Sequence, residues 1–221
     1  MKVSIIITCY NRQKFIARAI RSAISQRFPR DDFEVIVVDD GSTDSSRAVI
    51  TDFGEEVVSI FHDGNKGLPA ARNTGIRKAK GRFVMHLDSD DYMHEDLLYI
   101  EEMHLAFNPE WGAVACDYYE VDEDEQHLER YSAMKDPIAC GIMFRKENLI
   151  DVGLYDERML LCEDEELRIR YEEKFEIGNV HLPLYRYTKH HHNITKNADL
   201  MCEFRQKLSA IKESRRKQKG Q

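Results

Sequence analysis

No stretch of the 221 residues approaches the ~20 consecutive apolar positions that a membrane-spanning helix needs. The N-terminus, MKVSIIITCY, has only a short apolar run before Asn11 and Arg12, which is too short for a signal peptide. Basic excess is also missing. Lys and Arg number 32 against 40 Asp and Glu, a net charge of −8, so no nucleic-acid partner is expected. The five cysteines, Cys9, Cys116, Cys140, Cys162 and Cys202, are odd in number and none forms a C-x-x-C pair. A zinc or dithiol redox site is therefore not indicated, and reduced thiols in a cytoplasmic protein are expected. On that expectation the sequon-like Asn193-Ile194-Thr195 carries no glycan. With 5 Pro, 11 Gly, no internal repeat and no Pro/Gly/Ser linker, nothing marks a break between large domains.

What is present has an α/β rhythm. Val3 to Thr8 reads as a buried strand, β-branched and uninterrupted. Phe15, Ile16, Ala19, Ile20, Ala23 and Ile24 follow at helical spacing. Phe33 to Val38 reads as a second buried strand, and residues 42–53 as a helix that Ser42 or Thr43 is able to cap. Val57 to His62 is a weaker strand. Pro69 suits a first helical turn and Gly81 the end of that helix. Arg82 to Leu87 is a further strand, and residues 94–107 a helix. This alternation predicts an open, mostly parallel sheet flanked by helices. After Trp111 the pattern is more mixed: strand candidates at Ala113–Cys116, IACGIMF and IGNVHLPLYRYT, a helix at CEDEELRIRYEEKF, and an acidic segment, DYYEVDEDEQHLER. Leu200, Phe204, Leu208 and Ile211 then fall on one helical face before the basic KESRRKQKG, either a frayed end or an amphipathic helix for an anionic membrane or a partner.

In an open parallel sheet, ligands bind beyond the carboxyl ends of the strands. Those ends carry Thr8-Cys9-Tyr10-Asn11, Asp39-Asp40-Gly41-Ser42 and Asp88-Ser89-Asp90-Asp91. Taken singly, Asp-Asp-Gly-Ser is also a turn and helix cap, and Tyr10 a wall residue. Placed together at three strand ends, they suit a ligand with a flat base, hydroxyls and a charge that a cation neutralises. Mg²⁺ and Mn²⁺ take oxygen ligands, and Mg²⁺ uses one or two carboxylates plus substrate phosphates. A turn after the strand brings Asp88 and Asp90 toward one such ion, directly or through water.

The strings VSIIITCYNR, VIVVDDGSTD, GNKGLPAARNTGI, FVMHLDSDD and CEDEELRIR, in this order, resemble the family 2 glycosyltransferases. The resemblance runs from about residue 2 to about residue 195. It implies a single GT-A domain, with a Rossmann-like, mostly parallel sheet, a mixed acceptor-side half and a C-terminal helical tail. Residues 1–198 would form the domain, 1–110 its nucleotide-sugar-binding half and 111–198 its acceptor-side half, with 199–221 as the tail. The implied reaction is metal-dependent, inverting transfer of a sugar from a nucleotide diphosphate to an acceptor hydroxyl, with Mn²⁺ or Mg²⁺.

Matched residue by residue, Thr8 and Tyr10 would contact the base and Asp40 would accept from it, with Asp39 beside it; this favours a UDP-sugar, then a dTDP-sugar. Arg72, Asp88 and Ser89 would bind the donor. Asp88, Asp90 and His190 would hold the metal, with His191 and His192 competing for the imidazole role. Asp164 of the Glu163-Asp164 pair takes the general-base position, where a solvated acidic helix start is the bland alternative. Cys140, Gly141 and Glu163 would line the acceptor pocket, or Cys140 and Gly141 belong to a strand core. The single tryptophan, Trp111, is not in the Q-x-x-R-W motif of processive synthases, so one sugar per encounter is expected. Family habit points to a glycan or lipid-linked glycan acceptor in surface-glycan or polysaccharide synthesis, at the inner face of the membrane if the tail binds there. The competing class is a nucleotide-sugar-binding module without catalysis. A haloacid-dehalogenase phosphatase would carry Asp-x-Asp on its first strand, and a dinucleotide, SAM-binding or nucleotidyltransferase domain a glycine-rich loop there; neither is found.

Overall fold

The computed structural model describes residues 1–190 and 198–219. Strands β1 (Val3–Cys9), β2 (Phe33–Asp39), β3 (Val58–Phe61) and β4 (Phe83–Asp88) pair in parallel in the order β3-β2-β1-β4. Between them lie helices α1 (Ile16–Ile24), α2 (Ser46–Thr51) and α3 (Leu68–Lys78). The β1 alternation divides the core: Ile5 and Ile7 pack with Ile16, Ala19 and Ile20 of α1, whereas Ile6 packs with Ala71 and Ile76 of α3. Each face of the sheet is thus covered by helices, which is why these strands are apolar without alternation.

The second half continues the same sheet as β8-β6-β9-β5. Here β5 is Tyr92–Met93, β6 is Trp111–Val121, β8 is Ile142–Arg145 and β9 is Glu176–Thr188, while β7 (His127–Tyr131) pairs on the edge of β6. The order curls the sheet. β5 directly follows the turn after β4, yet pairs with β9, so the end of β9 lies beside that turn. Helix α4 (Leu97–Phe107) joins the α1 side of the core, and α5 (Lys146–Asp151) and α6 (Glu163–Glu172) the α3 side.

Several local expectations need correcting. α2 starts at Ser46, and neither Ser42 nor Thr43 caps it. Asn11 holds that stretch in a loop: its side-chain oxygen accepts from the Thr43 and Asp44 amides, and its own amide donates to Ser42 Oγ. α3 ends at Lys78, ahead of Gly81. Gly81 serves a close approach instead, since a Cβ there would lie 2.6 Å from the Ser4 nitrogen. The acidic segment after Cys116 is the second half of β6 and the β7 hairpin. β5 and α5 were not anticipated.

α7 (Ala198–Lys219) lies against α6, and Phe204 and Leu208 are buried with Met159, Leu161 and Cys162. The apolar face that the sequence offered to a membrane, or left to fray, is therefore spent inside the fold at these residues. Among the described residues no helix is long and apolar enough to cross a membrane.

One core residue is costly. Glu101 of α4 is fully buried, and neither carboxyl oxygen has a hydrogen-bond partner among the described residues. Burial pushes its carboxyl well above the usual range, with the Cys116 thiol offsetting only part of this. The folded chain then keeps a proton that the unfolded chain releases as pH rises past the ordinary glutamate value. Glu101 thus lowers stability progressively from there up to its folded pKa, by at most about 1.4 kcal/mol per pH unit. Glu101→Gln, which cannot ionise, should match the wild type near pH 4 and exceed it at pH 8. Urea midpoints of both proteins at the two pH values check this, and an equal difference at both would refute it.

Candidate functional site

The three strand ends open into one cleft of ≈ 860 Å³. Thr8 near the end of β1 and Tyr10 just after it, Asp40 after β2, and Asp88 to Asp91 at the end of β4 line it. Arg72 enters from α3, and Glu163 and Asp164 from the start of α6. Parallel register sets Thr8 opposite Val38 on one side and Asp88 on the other, so the carboxyl ends of these strands come out level.

The neighbouring aspartates of the second strand end separate. Asp39 is fully buried, accepts from the Ser42 amide and Arg47 Nε at 3.3 Å each, and does not line the cleft. Asp40 does line it. Its Oδ1 accepts from His62 Nδ1 (2.6 Å) and the Lys66 amide (3.0 Å), and its Oδ2 from the Gly67 amide (2.8 Å). A carboxylate offers about four lone-pair directions. Asp40 thus pins the loop before α3 and keeps room for one further donor. Tyr10 is 42% exposed at the rim, with its ring open to a ligand, whereas Thr8 is buried in the wall.

The three aspartates at the end of β4 have three different surroundings. Asp88 Oδ1 accepts from Arg72 Nη2 at 3.1 Å. Asp90 Oδ2 accepts from His190 Nε2 at 2.8 Å and from Arg12 Nε at 3.2 Å. Burial pushes the Asp90 carboxyl up, but the His190 hydrogen bond and the Arg12 charge outweigh it and hold the group below its ordinary value. Asp91 is turned inward, accepting from Tyr185 Oη (2.8 Å) and the Thr188 amide (2.7 Å). Its burial, then the Asp90 and Asp88 charges, raise it well above the carboxylate range. Asp91 therefore fastens β9 across the turn, and this seats His190, two residues beyond Thr188, on Asp90. The His190 ring stacks on Phe15 at 4.8 Å. His191 and His192 lie outside the described residues.

Arg72 is 1% exposed and joins both halves of the cleft. Nη1 donates to Glu163 Oε1 at 2.6 Å, Nη2 to Asp88, and the guanidinium lies 5.3 Å from the Tyr155 ring centre. Beneath it His86 is buried with both ring nitrogens unpartnered among the described residues, and burial, then the Arg72 charge, holds it neutral. Burial pushes Glu163 up to about 7, with Arg72 opposing and Asp164 adding to the rise. Asp164 differs from all of these. It is half-buried, faces the cleft, and its carboxylate has no hydrogen-bond or ion-pair partner among the described residues. The turn that delivers it is tight: Cys162, just before α6, has φ +57°.

Of the acceptor-side candidates, Cys140 and Glu163 line the cleft and Gly141 does not. Gly141 sits behind the wall with φ +67°, where a Cβ would lie 3.2 Å from that of Tyr185. Ser89 lines the cleft as expected. Sequence reasoning missed Lys66, Arg205, which lines the cleft from α7, and the contact of Arg12 with Asp90. Only Arg12 had a signal, its place immediately after the first strand end.

Among the described residues no three His, Cys, Asp or Glu side chains form a cage for a metal ion. Asp88 and Asp90 line one end of the cleft, with the buried His190 behind Asp90; two carboxylates there fit a hard divalent ion whose remaining ligands are phosphate and water.

The family model described as glycosyl transferase family 2 matches residues 4–168. A poly(ribitol-phosphate) beta-glucosyltransferase of Bacillus spizizenii is 41% identical over 102 residues, 44% of this chain and 16% of that protein. The curated relatives matched first are several times longer, and the aligned parts span 16 to 31% of them. Among solved structures, Staphylococcus aureus TarS 1–349 in complex with UDP-GlcNAc superposes with a TM-score of 0.78 at 24% identity, covering 89% of this chain and 61% of that one. The mannosyltransferase PcManGT of Pyrobaculum calidifontis, in complex with GDP-Man and Mn²⁺, gives 0.71 at 20% identity, covering 87% and 58%. At these identities the structural likeness is one of fold.

Proposed function

The chain belongs to glycosyl transferase family 2 and has the GT-A fold, and on that premise we propose that it transfers one sugar per encounter, with inversion, from a nucleotide diphosphate to an acceptor hydroxyl. The observation that carries this reading is the unpartnered Asp164 carboxylate in the cleft that Asp88 and Asp90 also line, Asp90 being backed by His190. A general base needs a lone pair that is not already committed. The acceptor oxygen loses its proton to Asp164 and bonds to the anomeric carbon from the face opposite the leaving group. The bond from that carbon to the diphosphate oxygen breaks, and the nucleoside diphosphate departs.

At the donor end Tyr10 stacks on the base and Asp40 accepts from it with its remaining lone pair, which favours uracil, then thymine. Asp88, Asp90 and His190 would hold Mn²⁺ or Mg²⁺, which supplies positive charge to the diphosphate as negative charge develops there. Arg72 acts first on the protein: with two carboxylates already on its guanidinium, it holds Asp88 and Glu163 in place. The UDP-GlcNAc bound by TarS and the Mn²⁺ bound by PcManGT support this donor and ion. A relative named as a poly(ribitol-phosphate) beta-glucosyltransferase supports a glycan or other polymer as the acceptor. Five unpaired cysteines, four of them buried, fit a cytoplasmic site of action. The residues 1–198 are proposed as the catalytic unit, and α7 from there on as part of its wall.

Calorimetric titration with UDP, dTDP, GDP and CDP in Mn²⁺ tests the donor end. UDP should bind tightest, and excess chelator or Asp90→Asn should each weaken it about tenfold or more, which is about 1.4 kcal/mol. Equal binding of all four, or none by the folded protein, would overturn the donor assignment.

A further inference from the structure

Successive residues of a strand face opposite sides of a sheet, so Tyr118 and Glu120 of β6 share one face. The register sets Tyr131 of β7 opposite Tyr118 and Tyr187 of β9 opposite Glu120. All four line the cleft. The Tyr118 and Tyr131 rings stack at 5.3 Å and 13°, and Tyr187 leans toward Tyr118 at 6.3 Å and 60°. Their edges are polar: Tyr131 Oη donates to Glu129 Oε2 at 2.9 Å and Tyr118 Oη to the Asp136 carbonyl at 3.0 Å. Glu120 is held by Lys189 at 2.6 Å. The result is an aromatic corner with carboxylates at its margin, in the same cleft as Asp164.

We propose that this corner is the acceptor subsite and that it takes an uncharged sugar ring. The inference rests on the glycosyltransferase reading and adds the acceptor class to it. A pyranose presents C–H groups on its faces, which pack on aromatic rings, and hydroxyls at its edge, which carboxylates accept. Charge decides against the alternative, a phosphate-bearing acceptor. Residues 117–131 contain seven carboxylates and one basic side chain, Arg130. Arg130 is already paired with Asp117 at 2.9 Å, and Arg18 of α1 faces Glu125 at 3.4 Å. The cations that line the cleft, Arg12, Lys66, Arg72 and Arg205, stand after β1, at α3 and on α7, and none lies on β6, β7 or β9. A phosphate in the tyrosine corner would meet like charge within a screening length of about 8 Å. A ribitol-phosphate polymer, named for several of the relatives, is the kind of polyanion that this surface disfavours.

Saturation-transfer NMR on the full chain with UDP and Mn²⁺ present tests the subsite without knowing the acceptor. The probes are the methyl β-glycosides of glucose, galactose and N-acetylglucosamine, each beside its 6-phosphate. At least one neutral glycoside should show saturation of its ring protons, and its 6-phosphate a weaker response. Tyr131→Ala and Tyr187→Ala should each reduce the neutral signal roughly two- to tenfold, while Tyr131→Phe retains it because the ring is what binds. A stronger response from the phosphates, a signal unchanged in both alanine variants, or no glycoside contact in a wild type that binds UDP would overturn the proposal. The neutral-against-phosphate comparison uses the wild type and so survives a variant that fails to fold. Failure to bind UDP would instead strike the donor reading on which this one stands.

Discussion

Asp164→Asn should abolish sugar transfer while UDP still binds. A positioned general base contributes about 10²–10⁴-fold, and the amide keeps the size of the carboxylate while losing its capacity to take a proton. Transfer to acceptor should therefore fall by roughly that factor, mostly in kcat, with the UDP affinity of the variant close to that of the wild type. The competing carboxylate is its neighbour. Glu165 also lines the cleft, but it is exposed and faces Lys212 of α7 at 3.6 Å. Glu163 is excluded by its ion pair with Arg72. Glu165→Gln should cost little. If it, and not Asp164→Asn, removed turnover, the base would be misassigned by one residue. If neither did while UDP bound normally, the chain would be a nucleotide-sugar-binding module, and its three aspartates at the end of β4 would serve recognition alone.

Those three aspartates show what a sequence reveals and what it leaves out. The run Phe83–Leu87 announced a buried strand, and the acids after it announced a site at its carboxyl end. Both inferences need only local pattern. The division of labour among Asp88, Asp90 and Asp91 needs partners 16, 100 and 94 to 97 residues away, namely Arg72, His190, and Tyr185 with Thr188. No periodicity encodes these contacts. The last two follow from the curl that pairs β5 with β9, and the first from α3 packing on the parallel half of the sheet. Asp39 and Asp40 teach the same lesson on a smaller scale: equal as letters, they part because alternate strand residues point to opposite sides. The acidic DYYEVDEDEQHLER was opaque for a different reason. Its β7 half is largely exposed, so no apolar alternation marks it as a strand. β5, with two residues, is below what any pattern detects. The motif resemblance supplied what pattern did not, the pairing of Glu163-Asp164 with the β4 turn.

The second large effect is on Arg72, and it is one of stability as much as activity. Arg72 is 1% exposed, Glu163 lies beside it at 5%, and the 2.6 Å and 3.1 Å bonds to Glu163 and Asp88 are what tie α6 to the end of β4. Removing one partner of a buried ionic group costs about 3–5 kcal/mol, because the remaining charge is left without compensation. Arg72→Leu should therefore destabilise the chain by about that much, and the loss should depend on pH with a definite sign. Arg72 is the group that holds Glu163 down against burial, and even so Glu163 stands at about 7. Without Arg72 its folded pKa rises further, the folded state keeps a proton over a wider range, and stability falls as pH rises from the ordinary glutamate value through that raised pKa. The variant should thus lose more at pH 8 than at pH 5. Adding Glu163→Gln to Arg72→Leu should recover part of the loss at pH 8 and little at pH 5, since the glutamine carries no charge to strand. Urea unfolding of the wild type, both single variants and the double variant at the two pH values measures the coupling directly. A cost below about 1 kcal/mol for Arg72→Leu, in the range of an exposed pair, would mean that water reaches Glu163 and that Arg72 acts on the ligand alone. The expected cost, with rescue at pH 8, would make Arg72 the tie that holds the donor carboxylates and the catalytic turn in one frame.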